Sequence, residues 1–278
     1  MAIAYDVDNL PELAEAQSPP HIRQIYREIR EWTGGPIVAL IFRNLATTPG
    51  VLEEVWGAIG PLFRAGKIQD VAWRVARETA PDGLMPPVEA YARAAVGLDD
   101  IALARLVNAL DAYNRANPAN LLSMLSLLAR MKSDAPAEPL SLAPWSPPTA
   151  VPGDLPTMTP LDVMPPQLRR LINDFGFGDR SRSDPVVPSL YRHLIGWPGY
   201  LAVMHVTLVP RFRDGTIARA TQLVHEAMKV EASSIAHHLP PLRLLPAAPH
   251  VEATLVHFTT TVIPQMIVIG NILRGALK

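Results

Sequence analysis

Residues 36–68, PIVALIFRNLATTPGVLEEVWGAIGPLFRAGKI, return in altered form as residues 185–217, PVVPSLYRHLIGWPGYLAVMHVTLVPRFRDGTI, 149 positions later and without a gap. Twelve of these 33 positions are identical, where roughly two or three would agree by chance, so the chain carries an internal repeat. Phe42-Arg-Asn-Leu45 faces Tyr191-Arg-His-Leu194, Pro49-Gly50 faces Pro198-Gly199, and Gly66 and Ile68 face Gly215 and Ile217. The same offset lays Ala104, Leu106 and Val107 on Ala253, Leu255 and Val256. Each copy reads as helix, Pro-Gly corner, long helix, loop, helix. A unit present twice in one chain suggests pseudo-two-fold packing, as in a dimer fused end to end.

Outward from the repeat, apolar residues recur at helical spacing. A helix is expected to start near Pro20 and run through Ile22, Ile25, Tyr26 and Ile29, with proline suited to a first helical position. Others are expected from about Asp100 to Tyr113 and in Leu121–Met131, Leu168–Asn173, Ile217–Val230 and Val251–Leu277, and no run of alternating strands is evident. Ten prolines fall between Ser133 and Pro166. Proline removes a backbone donor and disfavours helix in the residue before it, so this stretch reads as an extended connection. Trp145, Leu155 and Met164 within it suggest a strap packed along the surface. The expected architecture is therefore all-α, with two tandem pseudo-symmetric helical repeats (1–132 and 167–278) joined by a long proline-rich linker (133–166) into a pseudo-dimer. The seam between such halves is a natural place for a cleft.

Composition narrows the function. The chain has 278 residues, a formal net charge of −1 and no cysteine. Near-neutral charge argues against nucleic acid or an anionic membrane as a partner. Absence of cysteine excludes disulfides, thiolate metal sites and cysteine nucleophiles, and fits a reducing cytoplasm. The N-terminus carries acids where a signal peptide has basic residues. Thr254 to Leu273 is the most membrane-like stretch, but its histidine, threonines, proline, glutamine and asparagine favour a buried core helix. The eight histidines form no HExxH or related pattern, and no P-loop, GxGxxG or GxSxG is present; no metal or cofactor is implied.

The polar candidates each carry two readings. Asn117, ahead of Pro118 and an apolar run, is either an N-cap or an amide aimed at a bound water or carboxylate. Asp184, in Arg180-Ser-Arg-Ser-Asp-Pro185, is either a general base or a solvated turn residue. Arg43 and Arg192, at matching places in the repeats, could hold a substrate carboxylate in a bidentate fork or satisfy carbonyls at their own Pro-Gly corners.

Three segments then carry a family resemblance. Tyr26-Arg-Glu-Ile-Arg30 with Pro36-Ile-Val-Ala39 and Arg43–Gly50, Asn114-Arg-Ala-Asn-Pro118 with Leu121-Leu122, and Ser189–Pro198 resemble the group I 2-haloacid dehalogenases, with agreeing spacing across nearly the whole chain. The resemblance implies an all-α pseudo-dimeric fold with its pocket between the halves. It also implies hydrolysis of short 2-haloalkanoic acids by a water that an Asp, helped by an Asn, activates directly. Carried over, the water-holding Asn falls on Asn117, and the Ser before the catalytic Asp falls on Ser189. The Asp itself falls on Leu190, pocket aromatics fall on Ile37 and Leu40, and a pocket Tyr falls near Thr260. Tyr191 completes the expected lining. Ser183-Asp184 would restore the base only if six residues were looped out, a displacement of about 9 Å in a helix. Two functions follow: hydrolysis of 2-halo carboxylic acids with Asp184 as base, or binding of an apolar small molecule or another activity in the same cleft. A homodimer is compatible with either.

Overall fold

The computed structural model describes residues 11–153, 155–160, 163–175, 187–243 and 249–278. These are helical and extended segments, with no strand among the described residues. The helices are α1 (Pro20–Thr33), α2 (Leu40–Leu45), α3 (Val51–Arg64), α4 (Lys67–Glu78), α5 (Ala90–Ala95) and α6 (Asp100–Arg130). After the strap come α7 (Pro166–Asn173), α8 (Ser189–Leu194), α9 (Pro198–Arg213), α10 (Thr216–Ala236), α11 (Pro249–His257) and α12 (Ile263–Gly275). A π-helical turn, Phe258–Val262, joins the last two.

Local signals set most boundaries. Proline occupies the first turn of α1, α7 and α9, where its missing N–H leaves no intrahelical bond unmade. Asp99 caps α6 by accepting from the Ala102 amide at 2.8 Å. Gly66 and Gly215 turn α3 into α4 and α9 into α10 at φ of 70° and 77°, a left-handed conformation that side chains with a Cβ disfavour. In α10 the buried residues Ile217, Val224, Met228, Ala232 and Ile235 form one helical stripe.

At the centre, α6 packs against α4, α10 and the α11–α12 unit, and α4 and α12 each also pack against α10. Surrounded in this way, α6 buries every residue from Leu121 to Leu128. A helix covered on all sides loses the amphipathic pattern of a surface helix, and its serines return their hydroxyls to its own carbonyls, Ser123 to Ala119 and Ser126 to Leu122. The outer layer pairs α1 with α3 and α7 with α9; α8 rests on α6, and α2 on α11. Buried side chains tie distant parts of the chain: the Asn271 amide donates to Ala76, Asn114 to Gly270 and the Tyr200 hydroxyl to Leu273. The stretch His250–Gly275 is long and apolar enough to cross a bilayer, yet 61% of it is buried within the bundle. It is a core helix, as its polar residues suggest.

Residues 133–165 contain no helix among those described, and they lie on the bundle as a strap. Trp145 packs on Trp32 with ring centroids 6.3 Å apart and covers Gly66, where an added Cβ would sit 2.4 Å from the indole. The strap amide of Val151 donates to Gly34, and the Glu138 amide to His237. Met164 is buried and Leu155 half-buried.

Two expectations need correction. No break separates Asp100–Tyr113 from Leu121–Met131, because α6 runs through Pro118 as one helix of 31 residues. Asn117 is therefore mid-helix and caps nothing. An interior proline leaves the carbonyl four residues back without its N–H and costs about 3 kcal/mol, a loss that burial on every side of α6 offsets. Arg43 and Arg192 likewise do not serve their Pro-Gly corners. Arg43 donates to the Val38 carbonyl at 2.8 Å and pairs with Glu12 at 2.7 Å, and Arg192 Nε donates to Thr159 of the strap at 3.2 Å.

Candidate functional site

The site is built where α8 rests on α6. Positions four apart share a helical face, so Tyr113 and Asn117 lie one above the other on α6, and Ser189 and His193 do so on α8. The Tyr113 ring meets the His193 ring at a centroid distance of 5.8 Å, and Ser189 lies near enough to the Tyr113 hydroxyl to act on its ionisation. Burial pushes the Tyr113 phenol well above its ordinary range, against Ser189 and the charges of Arg43 and Arg192. At neutral pH it is an uncharged hydrogen-bond donor. The two guanidiniums that act on it come from matching positions of the two repeats.

Leu190 and Tyr191 follow Ser189 and are both buried, at 1% and 0% exposure. Tyr191 stacks on Phe175 (5.1 Å, 9° between planes), and burial raises its phenol far above the usual value, an effect that Gln265 opposes. Asn117 is half-buried, yet its Nδ2 has no water contact and no partner among the described residues. A buried donor left unpaired costs about 1–3 kcal/mol. Ile37 and Leu40, at the entry to α2, are half-buried against the core. Thr260 lies in the π turn and is exposed; its hydroxyl donates to Val256 at 2.8 Å, and the buried member of that threonine run is Thr259. Asp184, with Arg180 and Arg182, lies outside the described residues.

The structure thus sets Tyr113 of α6 against His193 of α8, with Asn117 one turn further along α6 and Ser189, Leu190 and Tyr191 in the same short helix α8. The motifs had marked Tyr113 and His193 only as a helix residue and a repeat position. His193 is 5% exposed. Burial lowers its pKa, the Pro156 carbonyl of the strap opposes this, and Arg192 lowers it further. Its spacing from Ser189 and that of Tyr113 from Asn117 were the available signals. A separate cleft of about 420 Å³ lies between α4, α6, α12 and the strap, lined by Trp73, Arg77, Asp111, Arg115 and Asn271 among others. None of the residues expected at the site lines it.

Because Asn117 is not a cap, Asn117→Ala is not expected to destabilise the protein: it removes the unpaired donor, and alanine is the better helix former. Loss of a cap would cost about 0.5–2 kcal/mol. Thermal unfolding of the variant separates the two.

The all-helical fold is that of solved 2-haloacid dehalogenases. Among solved structures, a D-2-haloacid dehalogenase mutant with D-2-CPA superposes with a TM-score of 0.67 at 18% identity, over 97% of this chain and 94% of that one. A further D-2-haloacid dehalogenase mutant and the enzyme with L-LA each give a TM-score of 0.70 at 15% identity, over 99% of this chain and 98% of theirs. No family model matches the sequence, and neither does any curated protein.

Proposed function

We propose that this chain binds a short 2-substituted carboxylic acid at the α6–α8 junction, in a cleft between two pseudo-equivalent halves, without running the carboxylate-driven hydrolysis of the dehalogenases. The recurrence of elements supports the paired halves: α2 begins at Leu40 and α8 at Ser189, α4 at Lys67 and α10 at Thr216, each pair 149 residues apart. Donors suited to a carboxylate support the ligand class. They are the neutral Tyr113 hydroxyl, Arg192 with only its Nε engaged among the described residues, and above all the buried, unpartnered Nδ2 of Asn117. That last observation carries the reading. Leu190 supports the second half of it, since an aliphatic side chain stands where the resemblance puts the base and cannot take a proton.

The test is calorimetric titration with propionate and both enantiomers of 2-chloropropionate, followed by a halide-release assay. Binding with no halide above the uncatalysed rate is expected. Absence of binding overturns the ligand class. Halide release that disappears in Asp184→Asn overturns the non-hydrolytic half and establishes a second reading, hydrolysis with Asp184 as base, which the Ser183-Asp184 pair favours.

A further inference from the structure

We infer that the cleft between α4, α6, α12 and the strap binds an aromatic carboxylate, its acid group on Arg77 and its ring against Trp73. The inference is independent of the α6–α8 reading, because none of the residues assigned to that junction lines this cleft.

At about 420 Å³, the cleft falls within the size range of small-molecule sites. Positions four apart on a helix share a face, so Trp73 and Arg77 line it from α4, and Asp111 and Arg115 from α6. Its walls are fixed by bonds that no ligand has to make. The Trp73 indole N–H donates to the Arg115 carbonyl at 3.0 Å, and Arg115 Nη1 donates to Thr149 of the strap at 2.5 Å. Pro148, the strap residue on the rim, closes with Arg115 over Gly34, where an added Cβ would sit 2.8 Å from the proline ring and 2.9 Å from the guanidinium.

The charges decide the class of ligand. Asp111 is already neutralised by Arg274 at 2.8 Å, and Glu78, beside Arg77 in the chain, is held by Arg74 at 3.0 Å. Arg115 bonds neutral carbonyls, and the Arg77 side chain has no partner among the described residues. Two guanidiniums therefore face the cleft without a counter-charge. A carboxylate matches a guanidinium fork, whereas a doubly charged group would also feel the nearby Asp111. Trp73 and Pro148 supply flat apolar surface, which suits a planar ring carried behind the acid.

The repeat supplies an internal control. The 149-residue offset puts Gln222, Glu226 and Pro264 at the places of Trp73, Arg77 and Arg115. The equivalent helix, α10, forms with the opposite charge at that place, so the packing of the unit does not require the Trp-Arg face of α4.

Calorimetry with benzoate, its neutral analogue benzamide and propionate tests this. Benzoate is expected to bind with a Kd of about 1 mM or below, and about three- to fivefold tighter than benzamide, the margin an exposed ion pair provides. That margin is expected to vanish in Arg77→Gln and to shrink in high salt. Arg77 is exposed, so the variant should melt with the wild type. The five tryptophans give separate indole N–H signals in nitrogen-15 spectra, and the Trp73 signal, assigned by its loss in Trp73→Phe, is expected to move when benzoate is added to wild-type protein. No benzoate binding up to about 10 mM, equal affinity for benzoate and benzamide, a margin that survives Arg77→Gln, or an unmoved Trp73 signal each overturns the inference. Propionate reads the α6–α8 junction and should bind the Arg77→Gln protein as it binds the wild type, so that either reading can fail without the other.

Discussion

Gly270→Ala is expected to destabilise the protein by about 2–3 kcal/mol, although alanine is the better helix former by about 1 kcal/mol. Gly270 is buried in the middle of α12, where that helix lies on α6. The Asn114 amide donates to the Gly270 carbonyl at 3.1 Å, and a Cβ on Gly270 would sit 2.0 Å from Asn114 Oδ1. Nothing near that distance is tolerated, so the asparagine must leave or the helices must part. Overpacking costs about 1–3 kcal/mol, and the broken hydrogen bond adds about 1 kcal/mol. Gly275→Ala in the same helix is the control, because its added Cβ would meet nothing within 4 Å. Denaturant unfolding of both variants, with the Asn114→Ala background to expose coupling between the pair, checks the account. A Gly270→Ala protein as stable as wild type would mean that α6 and α12 do not approach this closely.

Leu190→Asp is expected to cost at least about 4 kcal/mol at pH 8, from lost packing of a buried leucine together with desolvation of a carboxylate. Leu190 is 1% exposed. A carboxyl placed there takes a pKa above its unfolded value of about 3.9. The sign follows from linkage: below pH 4 the acid is neutral in both states and only the packing loss remains, whereas the penalty grows as pH rises through the elevated folded value. Melting temperatures of variant and wild type should therefore diverge between pH 4 and pH 8. The variant is also expected to release halide from 2-chloropropionate, because the substitution restores a base at the position the resemblance assigns to one, with Asn117 unchanged. A pH-independent loss of stability would place position 190 in water and remove it from the site; a folded variant that releases no halide would separate this cleft from the dehalogenase reaction.

How much of this was legible from residues alone depended on the range of the interactions. Helical periodicity, the glycine corners at Gly66 and Gly215 and the ten-proline connection are local signals, and they placed most helices to within a few residues. Asn117-Pro118 is also a local signal and it misled: Asn before Pro ahead of an apolar run normally opens a helix. Here tertiary burial carried α6 straight through. The partners of Arg43 and Arg192 were out of reach because they are a carboxylate and carbonyls of segments that dock from far along the chain. The same holds for His193, which the strap passes near Pro156, and a backbone oxygen leaves no mark in a sequence. Leu190 was the reverse case. Its aliphatic side chain could be read directly from the sequence, and it is buried.

The all-round burial of α6 bears on how the polypeptide is made. Residues 119–128 leave the ribosome before α10 and α12 have been synthesised, so for that interval a leucine-rich rod has no cover on two of its sides. A fragment ending at residue 132 would inherit the same bare flanks permanently. Such a piece should aggregate rather than adopt a stable tertiary structure.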